Sequence, residues 1–151
     1  PPRSTLFPYT TLFRSVSNSN VPHITVIVGA SIGAGTYAMS GRAYNNRFTF
    51  LWPTAKVAVM GPKQIAGVMS IVRRRQAARK GEKFNEKEDA EIVAMAEAMQ
   101  EEGSLALRAT GAISDDGIID PRDTRSVLGM CLSVVNGKEV EGAAGYGVYR
   151  L

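Results

Sequence analysis

His23-Ile24-Thr25-Val26-Ile27-Val28-Gly29-Ala30-Ser31-Ile32-Gly33-Ala34-Gly35 carries a β-branched run into a turn with three glycines. The run His23–Val28 has the composition of a buried strand, and Gly29 ends it. The small-residue segment Thr36 to Tyr44 that follows can be helical. Phe48-Thr-Phe-Leu-Trp52 then reads as a strand stopped by Pro53, and Lys56-Val-Ala-Val-Met60 as another closed by Gly61-Pro62.

Beyond Lys63 the apolar period lengthens. Ile65, Val68, Met69 and Val72 fall at i, i+3, i+4 and i+7, the stripe of an amphipathic helix. That helix ends near Lys80-Gly81 with cations at the favourable end of its dipole. A second helix is predicted from Glu86 to Glu102, with Ile92, Met95, Ala96 and Met99 inward, and a shorter one from Leu105 to Thr110. Ser114-Asp115-Asp116-Gly117 is a turn and Ile118-Ile119 a short buried strand. Asp120-Pro121-Arg122-Asp123 then starts a helix: Asp120 can cap, and proline loses nothing at the first helical position. Leu128, Cys131, Leu132 and Val135 form its inner face, and Asn136-Gly137 stops it. Strands alternating with helices predict an α/β domain.

The chain has 151 residues, 44% hydrophobic and 21% charged, a globular composition with enough length for a core. Its net charge is +4, without the clustered basic stripe that nucleic-acid binding favours. One cysteine excludes an intrachain disulfide, and one histidine leaves too few ligands for a Cys/His zinc site. No apolar run approaches the roughly 18 residues that span a bilayer, so neither nucleic acid nor membrane is expected as a partner.

Pro1 to Asn20, PPRSTLFPYTTLFRSVSNSN, breaks from this composition and contains the near-repeat TLFPYT, TLFRS. It lacks the continuous apolar core of a secretory signal. Arginines without acids suit a transit peptide, but Pro1, Pro2 and Pro8 disfavour the amphipathic helix that one needs. The string resembles translated sequencing-adapter text, and the missing initial methionine agrees with a truncated reading frame. Residues 1–20 are therefore expected to be a disordered leader, with the domain at 21–151. Arg3 and Arg14 lie in that leader, and without them the net charge falls from +4 to +2.

The glycine turn admits several chemistries. Gly29-Ala-Ser31-Ile-Gly33 matches the serine nucleophile elbow, G-x-S-x-G. The only histidine, His23, lies upstream on the same strand, about 20 Å or more away at roughly 3.3 Å per residue, which argues against a triad. A dinucleotide fingerprint fails on glycine spacing, and no acidic residue appears until Glu82. An oxyanion hole is the third reading, since Gly33, Ala34 and Gly35 expose successive N–H groups where a strand hands over to a helix. A tight turn with close helix–strand packing is the structural alternative.

Three ordered motifs narrow these readings: Gly33-Ala-Gly-Thr-Tyr-Ala-Met-Ser-Gly-Arg-Ala-Tyr44, Phe50-Leu-Trp-Pro-Thr-Ala-Lys-Val-Ala-Val-Met-Gly61 and Asp116-Gly-Ile-Ile-Asp-Pro-Arg-Asp-Thr-Arg125. With the C-terminal Gly145-Tyr-Gly-Val-Tyr-Arg-Leu151, they resemble the C-terminal part of the carboxyltransferase β subunit of biotin-dependent acyl-CoA carboxylases. The nearest branch includes the 3-methylcrotonyl-CoA enzymes. Many members carry Asn where this chain has Thr36.

The resemblance implies a crotonase-like (ClpP/crotonase) α/β fold, a spiral of ββα turns, of which this chain is a partial C-terminal domain. It implies carboxyl transfer from carboxybiotin to an acyl-CoA: CO2 is released, the biotin enolate takes the acidic proton of the acyl-CoA, and the carbanion captures CO2. Backbone oxyanion holes then suffice, which fits the scarcity of histidine and cysteine. By motif position, Ala34 and Gly35 donate to the biotin ureido oxygen, and Gly33, Thr36 and Tyr37 line the same wall. Biotin would arrive on a separate biotin carboxylase/biotin carrier subunit, since no Met-Lys-Met site is present. Other β subunits would complete a homo-oligomeric core, in the bacterial cytoplasm or the mitochondrial matrix, with no metal in this chain. A biotin-dependent decarboxylase carboxyltransferase of the same fold, and an inert fragment or basic interaction module, are the alternative readings.

The remaining conspicuous residues have structural readings. Arg73-Arg74-Arg75 with Arg79-Lys80 reads as a solvated helix end, Arg42 as an ion-pair partner and Trp52 as core. Cys131 reads as an inert stripe residue, and Asp115, Asp116, Asp120 and Asp123 as turn and cap residues, not a metal cluster.

Overall fold

The computed structural model describes residues 8–137, with side chains from Leu12 onward; the Gly145–Leu151 motif lies outside the described residues. Two strand–strand–helix units follow one another. The first is β1 (Ile24–Ile27), β2 (Ala30–Ile32) and α2 (Gly35–Ala38); the second is β3 (Phe48–Leu51), β4 (Lys56–Ala58) and α3 (Pro62–Lys80). β1 pairs in parallel with β3, from Ile24–Phe48 to Ile27–Leu51, and β2 pairs in parallel with β4, from Ala30–Lys56 to Ile32–Ala58. Each unit thus gives one strand to each of two sheets, and the second unit stacks on the first. A third begins at Ile118, which bridges Leu51 in parallel, with Ile119 N–H donating to Leu51 O at 2.9 Å. This is the ββα spiral that the resemblance implies.

Leu51 sits where the three units meet and is 1% exposed. Around it cluster Ala55, Ala106 and Ala109, with Ile27, Val57 and Ile118 partly buried against them. The small alanines let α5 (Ala106–Gly111) approach the strand ends closely, and Ala106 N–H donates to Ala55 O at 3.0 Å.

The short strand β2 inside the glycine segment has no signal in the sequence beyond Ser31-Ile32, and it forms because β4 supplies a partner. The helix expected over Thr36 to Tyr44 stops after α2. Ser40 takes φ 61°, and only a 3-10 turn, Arg42–Tyr44, follows. Residues Pro8–Asn18, expected to lack regular structure, form helix α1. Its proline stands at the first position, where no intrahelical bond is lost. Beyond it, Phe13 packs edge-on against Tyr44 at 6.5 Å, and Ser19 Oγ meets His23 Nε2 at 2.8 Å.

Helices α3 and α4 (Glu86–Gly103) form an antiparallel pair, but not through the face that the apolar period indicates. Asp89 is 5% exposed; Arg73 NH1 donates to its Oδ1 at 2.8 Å and Ser70 Oγ to its Oδ2 at 2.5 Å. A buried carboxylate is tolerated only with such partners, so the pair turns Ala66, Ser70 and Arg73 inward. Val68, Met69, Val72, Met95 and Met99 are left exposed, while Ile65, Ile92 and Ala96 are half-buried. Helix α6 (Thr124–Asn136) buries Cys131 and half-buries Leu128 and Val135, whereas Leu132 is exposed. Asp120 accepts from Arg122 N–H at 2.8 Å as the expected cap, starting the 3-10 turn Pro121–Asp123 that leads into α6.

Candidate functional site

The glycine turn is held at both ends. Gly33 N–H donates to Ala58 O at 2.9 Å, continuing the β2–β4 ladder one residue past the strand. Gly33 has φ +79°, a backbone that residues with a Cβ seldom adopt, so the chain reverses there without a side-chain clash. Thr36 N–H then closes back on Gly33 O at 3.2 Å, and Tyr37 N–H on Ala34 O at 3.1 Å.

Between those closures stand Ala34 and Gly35, both exposed. Neither N–H has an acceptor among the described residues, as befits the start of a helical turn. A Cβ at Gly35 would meet nothing within 4 Å, so the space beside its backbone is open. Two successive donors beside open space can hold one partly charged oxygen without any side chain. Thr36 is half-buried behind them, and Tyr37 is 44% exposed, its ring edge-on to Tyr44 at 6.0 Å. All five residues singled out from the sequence therefore lie in one turn.

A cavity of about 850 Å³ adjoins the turn. Ser31, Thr36 and Tyr37 belong to its wall with His23, Ser40 and Arg42, whereas Gly33, Ala34 and Gly35 do not. The exposed donors are the better candidate for chemistry than this cavity, because two adjacent backbone N–H groups without an acceptor among the described residues are ready to receive a charged oxygen.

The competing reading of Ser31 as a nucleophile finds no base. Ser31 Oγ lies 2.8 Å from Thr36 Oγ1, while both ring nitrogens of His23 are engaged elsewhere, by Ser40 Oγ at 2.9 Å and Ser19 Oγ at 2.8 Å.

Arg42 behaves as the expected ion-pair residue: its NH1 donates to Asp116 Oδ2 at 2.7 Å, and Thr49 N–H donates to the same oxygen at 2.7 Å. Partial burial pushes the Asp116 carboxyl up, but the Arg42 and Thr49 hydrogen bonds outweigh it and hold it below the usual carboxylate range. The hydrogen bond from Arg42 to Asp116 correspondingly raises the guanidinium. Asp115 accepts from Thr110 and from Gly117 N–H, a turn role. Trp52 is half-buried and donates Nε1–H to Thr124 Oγ1 at 3.0 Å. Burial pushes the Cys131 thiol up, away from the reactive thiolate. Arg74 lies over the Phe84 ring at 4.8 Å, near the solvated end of α3.

Sequence reasoning missed Gly41. A Cβ there would lie 2.7 Å from Thr36 O and 3.2 Å from Thr36 Cγ2, so glycine lets the chain pass directly behind Thr36. Its position in Ser40-Gly41-Arg42, where a helical segment breaks, was the available signal.

The family model described as Carboxyl transferase domain matches residues 10–144. A probable biotin-dependent acyl-coenzyme A carboxylase beta2 subunit of Mycobacterium tuberculosis is 51% identical over 140 residues, covering 93% of this chain and 26% of that protein. The mitochondrial methylcrotonoyl-CoA carboxylase beta chain of Arabidopsis thaliana is 42% identical, covering 91% of this chain and 23% of its own length. The crystal structure of the beta subunit of geranyl-CoA carboxylase from P. aeruginosa superposes with a TM-score of 0.76 at 34% identity, over 97% of this chain and 28% of that one. The chain therefore spans about a quarter of the length of these relatives, with the crotonase-like α/β architecture of their carboxyltransferase subunits. On sequence and fold together, this chain belongs to the carboxyl transferase domain family of biotin-dependent acyl-CoA carboxylase β subunits.

Proposed function

We propose that this chain supplies the biotin-side wall of an acyl-CoA carboxyltransferase, with the Ala34 and Gly35 N–H groups as its oxyanion hole. The observation that carries the reading is the pair of adjacent, exposed donors, without an acceptor among the described residues, in a turn fixed by Gly33 and Thr36. The residues fit the group: a ureido oxygen needs two convergent donors and no base, and open space lies beside Gly35. Bound carboxybiotin supplies the carboxyl group and, once decarboxylated, the base. The chain's contribution is to hold the ureido oxygen as negative charge develops on it, with Thr36 and Tyr37 beside it. Preorganised donors of this kind act by stabilising charge where it appears, with no reorganisation during the step.

The acceptor in this reading is an acyl-CoA, and the 3-methylcrotonyl branch is the first to assay, given the names borne by the similar proteins. The partners are a biotin-bearing subunit and further copies of the β subunit. The compartment is the bacterial cytoplasm or the mitochondrial matrix; among the described residues no helix is long and apolar enough to cross a membrane.

The test is Gly35→Val in the full-length subunit, assembled with its biotin-bearing partner and assayed with acetyl-, propionyl- and methylcrotonyl-CoA. The added side chain has room within the fold and crowds the donor pair. Carboxyl transfer is expected to fall by about 10²–10³-fold, the loss typical of one oxyanion donor, with an unchanged melting temperature. Wild-type turnover in this variant overturns the assignment.

A further inference from the structure

Ser31 adjoins the donor turn without contributing a donor to it. It lies on β2 opposite Val57, so its backbone is fixed by the sheet, and its hydroxyl reaches forward across the turn to Thr36 Oγ1 at 2.8 Å. Thr36 is thereby engaged twice, by the Ser31 hydroxyl and by the close pass of Gly41, where a Cβ would come within 2.7 Å of Thr36 O. Neither hydroxyl has another partner among the described residues. The clip spans the segment that presents Ala34 and Gly35.

A threonine in a helical first turn has two accessible χ1 rotamers, and in one its hydroxyl bonds a carbonyl three or four residues back. For Thr36 the carbonyl within that reach is Gly33 O, which already accepts the Thr36 N–H at 3.2 Å. A second bond, from the Thr36 hydroxyl to Gly33 O, would bend the segment that carries the two N–H groups. Engaging Thr36 Oγ1 from Ser31 removes that alternative.

We propose that Ser31 is a positioning residue for carboxyl transfer, clipping Thr36 so that the Ala34 and Gly35 N–H groups stay aimed at one oxygen. This rests on the oxyanion reading of those two donors. It gives Ser31 of the G-x-S-x-G match a role with no nucleophilic step.

The test compares Ser31→Ala, Ser31→Thr, Thr36→Val and their Ala/Val double variant with Gly35→Val in the assembled full-length enzyme, measuring kcat, KM for the acyl-CoA and melting temperature. Ser31→Ala and Thr36→Val are expected to lower kcat by about ten- to a hundredfold, the scale of a small misplacement in a preorganised site. KM and melting temperature should stay near the wild-type values. The double variant should be no worse than either single one, because all three break the same contact. Ser31→Thr keeps the hydroxyl and should restore kcat to within about threefold. A parallel loss of melting temperature and kcat, without rescue by threonine, would mean a merely structural contact and overturns the proposal. Wild-type kcat in Ser31→Ala and Thr36→Val beside an inactive Gly35→Val overturns the clip alone. An active Gly35→Val overturns the oxyanion reading beneath it. Thr36→Val conserves side-chain volume and keeps the comparison decisive even where Ser31→Ala folds poorly.

Discussion

Replacing Asp116 separates two contributions that meet on one oxygen. Its carboxylate accepts from Arg42 at 2.7 Å and from Thr49 N–H at 2.7 Å, while its own N–H donates to Thr49 O at 2.8 Å. The ion pair is wet, with the Arg42 and Asp116 side chains 46% and 30% exposed, which limits it to about 0.2–1 kcal/mol. Thr49 is only 3% exposed, so stripping its N–H of an acceptor costs about 1–3 kcal/mol. Asp116→Asn retains an amide oxygen for Thr49 and is expected to lose about 1 kcal/mol or less. Asp116→Ala loses both partners and is expected to cost about 1–4 kcal/mol. Urea denaturation of the chain, followed by the fluorescence of its single tryptophan beside Leu51, measures both. The pH dependence gives a second handle. Because the folded carboxyl is held below its unfolded value, Asp116 contributes fully above about pH 4 and loses that contribution as the pH falls through the folded value. Both variants should therefore lose less stability than the wild type on acidification. Equal costs for Asn and Ala would refute the dominance of the Thr49 contact, and an unaltered acid limb in Asp116→Asn would refute the electrostatic account.

Leu51→Ala is expected to destabilise the chain by about 3–5 kcal/mol, because neighbours Ala55, Ala106 and Ala109 are too short to fill the void; a loss under about 1 kcal/mol by the same assay would place the core elsewhere. Met95→Ser should leave the stability of the chain within about 0.5 kcal/mol of the wild type, since Met95 is 66% exposed. A loss of several kcal/mol would restore the inward face that the helical period indicates.

Much of the fold is legible in the sequence because its signals are local. The β-branched run of β1, the aromatic run of β3, the cap at Asp120 and the glycine stops after α3 and α6 each act within a few residues of where they are read. The candidate residues Gly33, Ala34, Gly35, Thr36 and Tyr37 are contiguous, so the sequence alone places them in one turn, while the distant Ala58 O anchors its start.

The errors have a common physical origin. Periodicity assigns the apolar stripe of α3 and the methionines of α4 inward, yet the buried Asp89 requires Arg73 and Ser70, and that requirement decides which faces meet. Composition suggests no structure for Pro8–Asn18, yet Tyr44 gives Phe13 of α1 a ring to pack against. In each case the deciding partner is remote in sequence: Asp89 lies 16 residues from Arg73 and 19 from Ser70, and Tyr44 lies two strands beyond Phe13's helix.

The sequence by itself determined that this is an α/β chain with a glycine turn where a strand hands over to a helix, since strand, turn and helix propensities are short-range. Only the tertiary structure decided that the strands stack unit upon unit, β1 on β3 and β2 on β4, and that Ser31 and Gly41 both close on Thr36. Those arrangements depend on hydrogen bonds and contacts between segments, and no local pattern of residues encodes which segments will meet.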